Sequence, residues 1–236
     1  MLGISVVIPT YNEENRIGAI LEALRPQMRK GDEIIIVDSY STDRTLEIAR
    51  AYTDRIFSMP REGIGPAKNV GAQKACNEIV AFLDADGPPD RNWMEVIRKE
   101  FGNHGTNAVA GFGSYVSDGR FREMTYNMFA RTIFFMGWLY YRITRVPWLP
   151  VNNCAIRKSR IEACGGYGKV VCEDLDFAMR ARGLEGVVYR YRMRVKLSDR
   201  RFRDEGFLRT VWLWFASDLK ILGGGGIDSR QYRATR

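Results

Sequence analysis

Only one histidine, His104, occurs among the 236 residues. That nearly excludes a Ser-His-Asp triad and a histidine-rich zinc site. The four cysteines, Cys76, Cys154, Cys164 and Cys172, show no paired metal-ligand spacing. Three of them fall in stretches that read as buried, so packed or reduced thiols are expected rather than a disulfide framework. Residues 132–141 run without a charge, which is too short a stretch to span a bilayer. No charged leader with a cleavage site opens the chain, and the apolar run at 4–8 is too short for one. A cytoplasmic protein is therefore expected, with the inner face of the cell membrane as the alternative.

What is present suits a globular core: 45% apolar and 12% aromatic residues. A formal charge of +8 and a pI near 9.4 imply attraction to anionic partners. Nucleic acid, an anionic bilayer and phosphorylated substrates all qualify, and net charge does not choose among them.

The first hundred residues alternate strand and helix patterns. Residues 4–8 and 33–37 are short β-branched runs, separated by a helix with Ile17, Ile20, Leu21 and Leu24 on one face. A second helix follows the capping residues Ser41-Thr42-Asp43, and a short strand covers 55–58. Pro66 opens a helix ending near Cys76, a strand covers 79–83, and a helix runs from about Asp90 to Phe101. Such βαβα alternation predicts a mostly parallel, doubly wound sheet. Beyond residue 108 the alternation lapses. A strand over 108–117, a long aromatic helix over 121–145, a strand over 151–156, a helix over 173–182, an extended segment over 187–197 and an apolar helix over 207–222 are expected.

In doubly wound sheets, ligands bind beyond the carboxyl ends of the strands. Three predicted strand ends carry polar groups: Thr10-Tyr11-Asn12-Glu13, Asp38 and Asp84-Ala85-Asp86. Asp84 and Asp86 stand one residue apart, so an extended chain points both carboxylates the same way. Oxygen ligands so placed suit a hard divalent cation shared with a phosphate. Turn and capping duties are the competing explanation.

Five segments in order resemble the family 2 glycosyltransferases of the GT-A fold. They are Val6-Val7-Ile8-Pro9-Thr10-Tyr11-Asn12-Glu13, Val37-Asp38-Ser39-Tyr40-Ser41-Thr42-Asp43, Gly65-Pro66-Ala67-Lys68-Asn69-Val70-Gly71, Asp84-Ala85-Asp86 and Cys172-Glu173-Asp174-Leu175-Asp176. The resemblance covers nearly the whole chain. It implies an α/β fold, GT-A, with a Rossmann-like and mostly parallel sheet. One domain over 1–222 follows, with a nucleotide-sugar half (1–107), an elaborated acceptor half (108–222) and a flexible basic tail (223–236).

The resemblance also implies roles. Pro9 and Tyr11 at the first strand end, with Asp38, would bind the nucleoside, and aromatic–base stacking is worth roughly 1–3 kcal/mol. Glu13 is a further acceptor suited to base or ribose donors. Lys68, expected in the first turn of its helix, would steady a diphosphate, although the family more often has arginine there; a solvated surface lysine is the alternative. Asp84 and Asp86 match the family's DxD motif, which contacts ribose and a Mg²⁺ or Mn²⁺ ion. Asp174 would be the general base of an inverting transfer, supported by Glu173. Arg200 and Arg201 are candidate phosphate clamps, and residues 152–157 resemble a stretch lining the sugar pocket. The implied partners are a nucleoside-diphosphate sugar, with UDP- and GDP-sugars leading, and a hydroxyl acceptor that a lipid carrier could present.

On the 121–145 helix, Arg131, Arg142 and Arg145 fall in one sector with Asn127 beside them, and the rest is aromatic or aliphatic. A membrane interface or a buried face would explain this pattern equally. Three rivals remain. A sugar-phosphate nucleotidyltransferase would need a glycine- and arginine-rich loop after the first strand, yet no glycine occurs there until Gly18. A nucleic-acid-binding protein should interleave aromatic and basic residues on exposed strands, whereas most aromatics here lie in apolar helices, so no nucleic acid is expected. A polyprenyl-phosphate sugar transferase would share the front half of the chain without needing the Glu-Asp pair.

Overall fold

The computed structural model describes residues 2–150 and 152–223. Four parallel strands form its first half: β1 (Ile4–Thr10), β2 (Glu33–Asp38), β3 (Ile56–Ser58) and β4 (Ile79–Leu83). Then follow β5 (Ala108–Val116), β6 (Asn153–Arg157) and β7 (Val187–Ser198), in a seven-stranded sheet ordered β3-β2-β1-β4-β6-β5-β7. β6 alone in this sheet runs antiparallel to its neighbours β4 and β5. The expected mixed α/β, mostly parallel sheet is thus present.

The helices are α1 (Ile17–Leu24), α2 (Thr45–Arg50), α3 (Ile64–Lys74), α4 (Trp93–Phe101), α5 (Arg120–Thr144), α6 (Lys158–Ala163), α7 (Glu173–Arg180), α8 (Arg200–Glu205) and α9 (Phe207–Leu222). Alternation along the strands sends side chains to both faces. Ile4, Val6 and Ile8 meet α1 and α4 in one core, whereas Val7, Ile35 and Val37 meet α3 and α7 in the other. Burial on both faces explains why β4 reads Ile-Val-Ala-Phe-Leu with no polar residue.

From β1 the chain winds outward through β2 to β3, then crosses back to β4 on the other side of β1. The crevice between β1 and β4 is therefore a topological switch point, with the ends of β1 and β4 opening into it. β7 ends at the same edge, because its Ser198 pairs in parallel with Val116 of β5.

Several boundaries differ from the sequence expectation. Helix α3 starts at Ile64, two residues before Pro66, because Gly63 takes φ 111° and turns the chain into it. Helix α4 starts at Trp93, and Asp90 gives it no side-chain cap. The strand expected over 151–156 is Asn153–Arg157. Asn153 is fully buried: it accepts from Trp93 Nε1 at 2.8 Å and donates to the carbonyls of Phe112 and Met193. Residues 153–157 therefore form a core strand, and the Asn152 carbonyl just before it lies 3.5 Å from the Asp84 nitrogen. Of the cysteines, all free, only Cys154 is fully buried; Cys164 and Cys172 are partly so and Cys76 is exposed. Of the basic tail expected over 223–236, residues 224–236 lie outside the described residues.

Candidate active site

The loop after β1 is fastened to the loop after β2. Asn12 N–H donates to Ser41 Oγ, Glu13 N–H to Thr45 Oγ1 and Glu14 N–H to Asp43 Oδ2. Asp43 was expected to cap α2, but Arg44 is the N-cap residue; Asp43, one residue earlier, accepts from the Thr45 N–H at 3.0 Å through Oδ1. Asp38 has no exposed surface. Its carboxylate accepts from Thr10 Oγ1 at 2.9 Å and from the Ser41 N–H and hydroxyl. Direct contact with a nucleoside was expected of Asp38; its carboxylate also fixes the loop that carries Tyr11. The Tyr11 ring bears the Arg61 guanidinium 4.2 Å from its centroid, so a stacking base would share the ring with Arg61 or displace it. Pro9 sits one residue before the end of β1, opposite Val37 of β2.

Arg200 follows directly from the end of β7 and lies across the switch point. Its guanidinium pairs with Glu13 at 2.9 Å and with Asp86 at 2.8 Å. Burial raises the Glu13 carboxyl above its ordinary value, against the lowering effect of Arg200. Arg201 lies 3.7 Å from Glu205 within α8. The two arginines expected as phosphate clamps thus open a short helix, α8, whose first residue, Arg200, reaches Asp86.

Lys68 corrects its sequence reading most sharply. Since α3 begins early, Lys68 stands in its second turn, with zero exposure. Its ammonium is 3.2 Å from Asp84 and 3.9 Å from Glu173, between the rings of Phe82 and Tyr167. It is neither a surface lysine nor a cation on the helix N-terminus. It is the internal counter-ion of two acids at the base of the site.

Burial pushes Glu173 up to about 7, against the attraction of Lys68, and the charge on Asp174 adds to the rise. Asp174 is also raised by burial, while the Leu175 N–H, Lys68 and the Trp148 indole act the other way. Its Oδ1 accepts from the Leu175 N–H at 2.9 Å and its Oδ2 from Trp148 Nε1 at 3.1 Å. Two fixed donors leave a lone pair on each oxygen and set the direction of the carboxylate.

A carboxylate–cation–carboxylate group therefore stands on each side of Ala85: Glu13–Arg200–Asp86 and Asp84–Lys68–Glu173. Asp84 is raised by burial, opposed by Lys68, and the charges of Asp86 and Asp174 raise it further. Among the described residues no cluster of three or more acids, cysteines or histidines is spaced to enclose a metal. Two hard carboxylates at a strand end nevertheless fit a divalent cation that takes its remaining ligands from a diphosphate. Asp86 already faces a cation here, the Arg200 guanidinium, and buried Asp84 Oδ1 has no aligned hydrogen-bond donor.

The sequence reading missed Trp148, Arg61 and Asp218. Asp218 hydrogen-bonds Cys172, and burial with the charge of Asp174 pushes it up to about 6. It is the one acid in the apolar run of α9, a signal that was available. Nothing local marks Trp148, which reaches Asp174 across 26 residues.

A family model described as glycosyl transferase family 2 matches residues 5–161. Glycosyltransferase AglE of Haloferax volcanii is 32% identical over 116 residues, covering 46% of this chain and 38% of that protein. The chain thus spans well under half the length of this curated relative. Staphylococcus aureus TarS 1-349 in complex with UDP-GlcNAc superposes with a TM-score of 0.63 at 20% identity, covering 84% of this chain and 58% of that one. Glucosyl-3-phosphoglycerate synthase from Mycobacterium tuberculosis, in complex with Mg²⁺ and UDP, also gives 0.63, at 22% identity over 94% of this chain and 79% of that one.

Proposed function

The chain belongs to glycosyl transferase family 2, and from that premise we propose that it moves a sugar from a nucleoside-diphosphate sugar to a hydroxyl acceptor with inversion. UDP- and GDP-sugars lead as donors, and a relative of the same fold is a complex with UDP-GlcNAc. The observation that carries the reading is the meeting of Asp84 and the Glu173-Asp174 pair around Lys68 at the switch point, with Asp86 beside Asp84 and paired to Arg200.

Asp84 and Asp86 would hold a Mg²⁺ or Mn²⁺ ion, which neutralises charge on the departing diphosphate. Tyr11 offers its ring to the base. Arg200, released from Asp86, supplies a planar fork for phosphate oxygens, with Arg201 next to it. Trp148 and the Leu175 N–H orient Asp174, which takes the proton of the acceptor hydroxyl. The acceptor oxygen bonds to the anomeric carbon as the carbon–oxygen bond to the diphosphate breaks, and its electron pair leaves with the nucleoside diphosphate. Burial raises the Glu173 carboxyl to about 7, which favours its protonated form and so limits the negative charge beside the base.

Asp174→Asn tests this reading. Transfer should fall about 10²- to 10⁴-fold, the worth of a general base, with nucleotide affinity unchanged. Transfer that survives intact would remove Asp174 from the chemistry and favour a polyprenyl-phosphate acceptor, already ionised and in no need of a base.

A further inference from the structure

Helix α9 is amphipathic the wrong way round for a helix on a protein core. Its most exposed apolar residues are Leu208, Trp212, Phe215, Leu219 and Leu222, spaced four, three, four and three apart on one face. The residues it buries are Thr210 and Ser217, whose hydroxyls bond back to their own helix at Gly206 and Leu213. Trp212 is 64% exposed and Leu208 80% exposed.

Helix α5 repeats the arrangement. It buries a narrow stripe, Tyr126, Gly137 and Tyr141, against the sheet. Opposite that stripe Phe121, Met128, Phe135 and Leu139 are exposed, flanked by Met124, Met136 and Ile143. Asn127, which the sequence reading grouped with the arginines, faces inward and exchanges two hydrogen bonds with the Tyr115 backbone. The two helices meet where Phe207 packs on Tyr126 and Phe129, with ring centroids 5.3 Å apart in both cases.

Charge identifies what covers this surface. The exposed charged residues of α5 and α9 are Arg120, Arg122, Arg131, Arg142, Arg209 and Lys220, and Arg145 caps α5. No acid on either helix is exposed: Glu123 bonds the Ser117 N–H and Asp218 bonds Cys172, both partly buried. On α9 the cations Arg209 and Lys220 lie at the rim of the apolar stripe. A second copy of the chain would bring like charges together in a protein already at +8. An anionic bilayer would take the apolar side chains below its headgroups and leave the cations among the phosphates. Neither helix is long and apolar enough to cross a membrane, so both would lie in its plane.

We propose that α5 and α9 together form a docking surface for an anionic lipid bilayer. The surface stands on its own exposure and charge, apart from the reaction. Its position has a consequence that does rest on the proposed reaction: these helices also hold the surroundings of Asp174. Asp218 of α9 reaches Cys172, and Trp148, the donor to Asp174, packs against Gly137 of α5 so tightly that a Cβ there would lie 2.4 Å from the indole. An acceptor held at the bilayer surface would meet the base from this side.

Vesicle flotation tests the docking, with nucleoside-diphosphate binding measured on the same samples so that loss of the donor site is seen separately. The full chain should float with phosphatidylcholine–phosphatidylglycerol vesicles, weakly with phosphatidylcholine alone, and less as salt rises. Trp212→Glu with Leu219→Glu, both at exposed positions, should weaken flotation by about tenfold or more while unfolding temperature and nucleotide binding stay unchanged. Absence of flotation with anionic vesicles at low salt would overturn the proposal, as would a double variant that floats like the parent. A parent that is dimeric by light scattering, becomes monomeric in the double variant and does not float would reassign the surface to self-association.

Discussion

An ammonium group with no contact to water is held in a protein interior by the carboxylates that face it, and Lys68 has two, Asp84 and Glu173. The three groups share one charge balance, so changing any of them alters the others. Glu173 is the member that titrates near neutrality, rising from an ordinary 4.5 to about 7. A carboxyl with a raised pKa binds its proton more tightly in the folded than in the unfolded chain. It therefore costs stability as pH climbs from about 4.5 to about 7, and the full cost is present above that window. Glu173→Gln should flatten the fall in unfolding temperature across that range, with most of its benefit at pH 8 and little at pH 5. A variant that loses stability equally at both values would show that the glutamate is ionised throughout and held by Lys68. The sequence exposed the identity of these acids through their motifs. It could not expose the burial of Lys68, which depends on α3 beginning at Ile64 and on Phe82 and Tyr167 closing over the ammonium.

Among the elements, α3 and the approach to α7 fit with little room to spare. A Cβ on Gly65 would lie 2.3 Å from the Gly168 carbonyl oxygen and 3.4 Å from Glu173 Cβ. Gly65→Ala should therefore destabilise the fold by about 1–3 kcal/mol and shift Glu173 relative to Lys68, read by urea unfolding and by nucleotide affinity. Gly18→Ala on α1 is the internal contrast. Its Cβ would meet only Ile48 at 3.5 Å, so the gain in helix propensity, about 0.5–1 kcal/mol, should appear as added stability. Elements with a single clear period were legible: β4 and α9 occupy the residues expected of them, and the four apolar residues of α1 are all buried. Two of the short helices were not. α6 and α8 have six residues each, too few for a 3.6-residue period to stand out, and α8 is what turns Arg200 toward Asp86. The direction that α5 and α9 face was also hidden, because an apolar stripe is the same in sequence whether it covers a core or leaves one.

Across the whole molecule, the site is a product of strand order. β1 and β4 are neighbours in space but are separated by three crossovers in the chain, and their pairing brings Glu13 and Asp86 within reach of one arginine. β7 then returns to the same edge and delivers that arginine from 114 residues beyond Asp86. On the proposed function, this edge binds a nucleoside diphosphate through a divalent cation on Asp84 and Asp86. Calorimetry with UDP and GDP, each with and without Mn²⁺, on the parent chain and on Asp86→Ala tests it directly. The parent should bind at least one nucleotide, more tightly with Mn²⁺, and the Mn²⁺-dependent part should be lost in Asp86→Ala. Equal affinity in the parent and the variant with Mn²⁺ present, or no binding of either nucleotide by the parent, would contradict it.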